Sequence, residues 1–240
     1  MQFTSAALTD LGYVRQENED RFLHAPELGM FAVADGIGGL PKGAEAAECA
    51  VSTLSTAVCK FVSDKQPVDL ASAVNDTNEA VVALSERLAP GIGLGCTLCA
   101  GYIRGGTLQL ANVGDSRCYL FRLDTMKLLT TDDTVEHDVE VRRAKGEDIE
   151  MDERYRNALT RCMGQPMALD LRVFAHSLQK GDVLLFCTDG ISRMIEDSAI
   201  LLRLREKKSA ELTLRALVDA ALAAGGGDNA TAVYVRIDSL

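Results

Sequence analysis

The chain has no tryptophan, aromatic residues make up only 5% of it, and its 240 residues include three histidines. A surface that stacks the bases of single-stranded nucleic acid needs aromatic faces, so that function is disfavoured from the start. Positive charge is scarce as well: 25 Lys and Arg stand against 35 Asp and Glu, for a net charge of -10, with no local basic patch to reverse it. Such a surface repels phosphate backbones, and nucleic acid is not an expected partner. No stretch approaches the roughly 18 apolar residues of a membrane span. Met1 to Ala7 lacks a charged start followed by an apolar run, so neither membrane insertion nor export is expected. A disulfide framework is not expected either. The seven cysteines (Cys49, Cys59, Cys96, Cys99, Cys118, Cys162, Cys187) are odd in number and mostly lie in apolar segments, the pattern of buried free thiols. A reducing compartment follows, with the cytoplasm as the expected location.

What is present is apolar mass. Hydrophobic residues make up 47% of the chain, enough for a substantial core. Phe3 to Leu8 and Arg21 to His24 read as strands, and the run Met30-Phe-Ala-Val-Ala34 fits a buried strand better than a helix. Pro41 suits the first turn of a helix that carries Ala47, Ala50, Leu54, Ala57 and Phe61 at helical spacing. Leu70, Val74, Thr77, Val81, Leu84 and Leu88 form the stripe of a second helix. Thr97 to Ile103, Leu108 to Val113, Arg117 to Leu123 and Met126 to Leu129 then read as an antiparallel meander, turning at Gly105-Gly106, Gly114-Asp115 and Asp124-Thr125. Thr131 to Ala168 is a charged excursion with a weak helical stripe at Val135 to Ala144. Strands return at Leu171 to His176, Val183 to Cys187 and Thr231 to Ile237, with helices at Ala199 to Arg205 and Ala210 to Ala223. No linker divides the order and no repeat appears, so the expectation is one α+β domain over residues 1–240, with helices packed on antiparallel sheets.

Two strands end alike, at Val33-Ala-Asp-Gly36 and Cys187-Thr-Asp-Gly190, and a third begins with Gly227-Asp-Asn229. An aspartate at the end of a buried strand has its backbone fixed while its carboxylate projects over the rim, a rigid mount for a metal ligand. Mg²⁺ and Mn²⁺ take oxygen ligands, and the neighbouring glycine lets a carbonyl or a water come close. Two such turns face to face could share a carboxylate between ions about 3.5–4 Å apart, the arrangement that activates water against phosphorus. Asp-Gly is also a common turn pair, so these turns do not decide the matter alone. Arg15-Gln-Glu-Asn-Glu-Asp20 adds an arginine and a carboxylate pair. Other features carry less. Cys96 and Cys99 have a metal-like spacing, but residues three apart on a strand face opposite sides and no second pair follows, which favours core packing. Gly36-Ile-Gly-Gly39 lacks both the dinucleotide spacing and the Gly-Lys-Ser/Thr ending of an NTP loop. His24, His137 and His176 are scattered.

Taken in order, Gly12-Tyr-Val-Arg-Gln-Glu-Asn-Glu-Asp20, Val33-Ala-Asp-Gly-Ile-Gly-Gly39, Val113-Gly-Asp-Ser-Arg117, Thr188-Asp-Gly190 and Gly227-Asp-Asn229 resemble the motifs of the bacterial type 2C (PPM) metal-dependent serine/threonine protein phosphatases, over nearly the whole chain. The resemblance implies a four-layer αββα sandwich, a central antiparallel β-sandwich flanked by helix pairs, with two Mn²⁺ or Mg²⁺ ions at one end and a third, weaker ion. It implies Asp35 as the bridging ligand, Asp189 and Asp228 on one ion, and Glu19 with the Gly36 carbonyl on the side of the other. Asp20 stands behind them, Arg15 grips the phosphate, and Asp115 with Asp189 marks the third site. The implied activity is hydrolysis of phosphoserine and phosphothreonine by direct attack of a metal-activated water on phosphorus.

Two departures from the family pattern stand out. Animal members carry a histidine after the first Asp-Gly, where this chain has Ile37, so the leaving group's proton needs another source. Asp132-Asp133-Thr134 replaces the commoner bacterial Asp-His-Ser, at the start of a flap-like excursion over about 131–168. The expected partners are phosphorylated proteins and a cognate serine/threonine kinase in signalling, and the expected state is a monomer. A catalytically silent pseudophosphatase or a phosphatase of small phosphate esters are the alternatives. Retention of Arg15, Glu19, Asp20, Asp35, Asp189 and Asp228 argues against the first.

Overall fold

The apolar runs that end in acidic turns are buried on both faces. In the computed structural model, which describes residues 1–167 and 169–240, strand β3 (Met30–Asp35) sends Met30, Ala32 and Ala34 to one hydrophobic layer and Phe31 and Val33 to another. A strand with two dry faces has no polar alternation to show, hence the continuous run. β9 (Val183–Cys187) and β10 (Ala230–Ser239) divide in the same way: Val183, Leu185, Cys187, Ala232 and Tyr234 face one layer, and Leu184, Phe186, Val233, Val235 and Ile237 the other.

These strands belong to two five-stranded antiparallel sheets. One runs β1 (Gln2–Asp10), β10, β9, β6 (Arg117–Arg122), β7 (Thr125–Leu128); the other runs β2 (Asp20–Ala25), β3, β4 (Leu98–Arg104), β5 (Thr107–Val113), β8 (Val173–Ser177). Phe31, Val33, Cys99, Leu108, Leu110, Leu184, Phe186 and Val233 fill the layer between the sheets. Helices α1 (Gly43–Ser63) and α2 (Leu70–Leu88) cover the outer face of the second sheet. Past a charged helix α3 (Val135–Ala144), a single turn α4 (Asp189–Ser192) and helices α5 (Asp197–Arg205) and α6 (Ala210–Ala223) cover the first. The four-layer αββα sandwich is borne out. On α1 the buried positions are mostly alanine and valine, which lets the helix lie close on the sheet. Asp69 caps α2 by accepting the Ser72 N–H at 3.1 Å.

Four local expectations are corrected. The meander is split: β4 and β5 pair in one sheet, but β6 pairs with β9 and β7 in the other. The chain changes sheets at Gly114, where φ is +100° and an added Cβ would stand 2.7 Å from Thr97; alternation tells which face a residue takes but not which strand lies beside it. Gly105-Gly106 does make the tight β4–β5 hairpin, with φ of +57° and +77°. The next hairpin turns at Leu123-Asp124, one residue before the expected pair. Pro41 lies outside α1, whose N-cap is Lys42. Asp189 is not in a bare turn but opens α4 behind its N-cap Thr188.

From 131 onward the charged excursion contains α3 and a 3₁₀ turn at Glu153–Tyr155; its final residue, Ala168, lies outside the described residues. Asp133 ties the excursion to the β5–β6 crossing. Its N–H donates to the Gly114 carbonyl at 3.0 Å, its carboxylate accepts from the Gly114 N–H at 2.9 Å and from Arg161 at 2.7 Å, and its carbonyl accepts from the Thr160 N–H at 2.9 Å. Asp132 takes the fork of Arg117, and Thr134 caps α3. Cys96 and Cys99 fall in different layers of the core, as packing predicts.

Candidate metal centre

Asp35 is the last residue of β3 and follows the parity of Phe31 and Val33, so its carboxylate leaves the inter-sheet layer at the rim. Its backbone is held twice by Thr97: its N–H donates to Thr97 Oγ1 at 3.0 Å, and its carbonyl accepts from the Thr97 N–H at 2.8 Å. The neighbouring strand brings Asp20 directly opposite Asp35 in register. From the other sheet, Thr188 reaches Asp20, donating from Oγ1 to Oδ2 at 2.8 Å, while Thr231 donates its N–H to that same hydroxyl oxygen at 3.1 Å. Asp20 thus ties the two sheets together under the site.

Asp189 and Asp228 arrive from one corner of the first sheet. Gly190 packs on the start of β10 so tightly that an added Cβ would lie 1.7 Å from the Asn229 carbonyl oxygen, and only glycine lets α4 begin there. Asn229 in turn holds the N-terminal loop. Its Nδ2 donates to the carbonyls of Leu11 and Glu17 at 2.9 and 3.1 Å, and its Oδ1 accepts from the Glu19 N–H at 2.8 Å. Arg15 leaves this loop to donate to Asp228 at 2.7 Å. Glu19 comes up against the start of α1, where a Cβ on Gly43 would lie 2.7 Å from its Oε1. Lys42 gives that helix no side-chain cap, and the Glu19 carboxylate lies beside the positive end of its dipole. Gly36 and Gly43 touch backbone to backbone; a Cβ on Gly36 would lie 2.5 Å from Gly43.

A cleft of about 450 Å³ opens over this set, lined by Arg15, Asp35, Gly36, Asp115, Asp189 and Asp228 together with Ile37, Thr97 and Arg193. Asn157, Ala158, Leu159 and Cys162 from the excursion line it as well. All eight residues singled out in the sequence, Arg15, Glu19, Asp20, Asp35, Gly36, Asp115, Asp189 and Asp228, converge at this one end of the sandwich. His137 is not among the lining residues, His24 bonds Ser5 at 2.8 Å, and His176 lies on the edge strand β8. Sequence reading missed Thr97, Thr188, Asn229 and Arg193. Thr188 and Asn229 stand in the motifs beside Asp189 and Asp228, but their side chains, like that of Thr97, bond segments distant along the chain, which spacing does not reveal. Arg193 had one signal, its place four residues after Asp189 on a helical turn.

So many acids in one place repel each other. Burial, then Asp20, Asp189, Asp115 and Asp228, hold the Asp35 carboxyl well above the usual carboxylate range. Burial likewise pushes Asp20 up to about 7 and Asp115 up to about 6, and raises Asp189 and Glu19 despite Arg193 and Arg15 beside them. Asp20 Oδ1 and Asp189 Oδ1 are buried with no hydrogen-bond partner among the described residues. Orphaned, acid-only oxygens in a dry rim fit hard divalent cations, which take oxygen ligands and keep several waters. No three His, Cys, Asp or Glu side chains already close around a single point among the described residues. For such ions the remaining positions fall to water and to a carbonyl such as that of Gly36.

A family model described as protein phosphatase 2C matches residues 13–224. The chain is 30% identical to the serine/threonine phosphatase stp of Listeria innocua, over 95% of this chain and 93% of that one. Its fold superposes on the crystal structure of the Mycobacterium tuberculosis serine/threonine phosphatase PstP with a TM-score of 0.83 at 28% identity, covering 99% of each chain. It is also similar, with a TM-score of 0.81, 29% identity and 99% of each chain covered, to the catalytic domain of PstP determined with two manganese ions. The chain belongs to the protein phosphatase 2C family.

Proposed function

We propose that the chain is a metal-dependent serine/threonine protein phosphatase, with residues 1–240 acting as one catalytic domain that hydrolyses phosphoserine and phosphothreonine by direct attack of water on phosphorus. The observation that carries this reading is the convergence of Asp35, Asp189, Asp228 and Arg15 on one acidic cleft in a chain of this family. Two Mn²⁺ or Mg²⁺ ions would be held by Asp35 between them, by Asp189 and Asp228 on one side, and by Glu19 with the Gly36 carbonyl on the other. When bound, the ions supply Lewis acidity at a water and at the phosphoryl oxygens.

The remaining work belongs to the chain. Arg15 donates through one terminal nitrogen to Asp228, which aims its fork into the cleft and leaves donors for two phosphoryl oxygens. Asp228 and, secondarily, Glu19 and Asp35 raise its pKa further, so it stays charged throughout. Asp20, held by Thr188, fixes the floor on which Asp35 and Asp189 stand. Ile37 offers no proton, and no histidine is among the described lining residues, so a general acid from a side chain at that position plays no part. Residues 131–168 act as a flap, with Asn157 to Cys162 meeting the substrate. Phosphorylated proteins are the substrates and a serine/threonine kinase supplies them. The free cysteines favour a reducing compartment, with the cytoplasm as the location and a monomer as the working state.

The test is hydrolysis of p-nitrophenyl phosphate and of a phosphothreonine peptide, with Mn²⁺ or with EDTA, by the wild type and by Asp35→Asn. Losing a bridging ligand removes several kcal/mol of charge stabilisation, which at about 1.36 kcal/mol per decade is on the order of 10³-fold in rate. EDTA should abolish turnover of both substrates. Activity that survives EDTA and the substitution would sink the reading. An inactive, metal-loaded wild type would point to a pseudophosphatase, and a peptide turned over no better than the small ester would point to small-molecule substrates.

A further inference from the structure

Between Asp115 and Asp189, where the family resemblance implies a third cation, the structure places a side chain. The Arg193 guanidinium pairs with Asp115 Oδ2 through one nitrogen and approaches Asp189 Oδ2 to 3.3 Å through the other. We propose that Arg193 is a built-in substitute for the third ion: a fixed guanidinium that neutralises the Asp115–Asp189 pair and leaves this centre a two-ion site. The inference rests on the two-ion reading above.

Three observations carry it. The first is rigidity. Arg193, the C-cap of α4, follows Asp189 by one helical turn and donates its backbone N–H to the Asp189 carbonyl at 2.8 Å, so the two side chains lie on the same side of that turn. The second is the division of Asp189. Its Oδ2 faces Arg193, whereas its Oδ1 is buried without a hydrogen-bond partner among the described residues. One oxygen is therefore committed to the arginine and the other is left for the two-ion centre. The third is charge. The Asp115 side chain is 7% exposed and its partner 29%, so the pair is poorly screened. A divalent ion entering between them would have to displace a planar, permanently charged donor that already occupies the carboxylate lone pairs, and would meet its repulsion. Unlike a weakly held ion, the guanidinium is present at any metal concentration.

The consequence is a difference in metal stoichiometry that does not depend on catalysis. Metal-stripped protein is titrated with Mn²⁺ from micromolar to millimolar, with bound metal read by calorimetry and free Mn²⁺ by its paramagnetic resonance signal. The wild type should saturate at two ions. Arg193→Ala should gain a third, weaker ion, and adding Asp115→Asn to it should remove that ion again. Arg193→Gln, which keeps the side chain's bulk, guards against a folding defect in the alanine variant and should also gain the ion. A wild type that takes a third ion lost on Asp115→Asn overturns the proposal, as do folded Arg193 variants that still stop at two. A wild type that binds no Mn²⁺ overturns both this inference and the two-ion reading, and is distinguishable from either.

Discussion

Asp20 shows what crowding acids costs a single residue. It is 2% exposed, and burial pushes its carboxyl from 3.8 up to about 7, an effect to which Asp189 and Asp228 add and which Thr231 and Thr188 oppose. A pKa that is higher in the folded than in the unfolded chain means that the folded state holds the proton more tightly. The associated stability is complete below about pH 4 and is lost as the pH rises through about 7. Asp115, pushed up to about 6, acts in the same direction. Bound cations replace the protons and remove the penalty. The expected outcome, by differential scanning fluorimetry, is a Tm in EDTA that falls as the pH is raised from about 5 to about 8, and a stabilisation by Mn²⁺ that grows over the same range. A Tm in EDTA that is flat or rises across it would contradict this account of the cluster.

At the scale of elements, the site depends on a few close approaches rather than on long ones. The single turn α4 opens with Asp189 and is followed directly by its C-cap Arg193, and its place is set by Gly190 against the Asn229 carbonyl. A methyl group at Gly190 would need one of these backbones to move, because 1.7 Å is far inside van der Waals contact and neither partner is a flexible side chain. Gly190→Ala should therefore shift Asp189 relative to Asp228. A displacement near an ångström costs on the order of 10²-fold in turnover, read as kcat on p-nitrophenyl phosphate at saturating Mn²⁺. Wild-type kinetics in a folded Gly190→Ala protein would show that this contact does not set the ligand geometry. Glu19 makes a related close approach to α1: its carboxylate lies against Gly43 at the start of a helix whose own N-cap, Lys42, gives it no side-chain bond.

Over the whole molecule, the layer between the sheets is what keeps the ligands from separate strands in one frame. Phe186 is fully buried there, and Gly101 on the opposing sheet makes room for its ring; a Cβ on Gly101 would stand 2.6 Å from Phe186 Cζ. Phe186→Ala should destabilise by about 3–5 kcal/mol, measured by urea unfolding of the metal-free protein. If residues 1–240 behave as one domain, fluorescence and circular dichroism should report a single coincident transition in both proteins. Two separated transitions would divide the sandwich into independent units and overturn the one-domain reading.

Much of this was written in the sequence. Runs with no polar alternation required strands dry on both faces, which called for helices outside two packed sheets, and Asp35, Asp189 and Asp228 announced themselves as acids at the ends or beginnings of such strands. Periodicity and turn chemistry are local, so helices, strands and the Gly105-Gly106 hairpin could be read along the chain. What only the tertiary structure decided is which strand lies beside which. The β4 to β7 meander reads as continuous, yet it changes sheets at Gly114 because alternation carries no information about neighbours. The same limit hid Thr97, Thr188 and Asn229, whose roles exist only once distant backbones meet. It also hid Arg193, whose place four residues after Asp189 says nothing of Asp115. Only folding, by carrying Asp115 from the β5–β6 crossing to within reach of α4, turns it into the counter-charge of two buried acids.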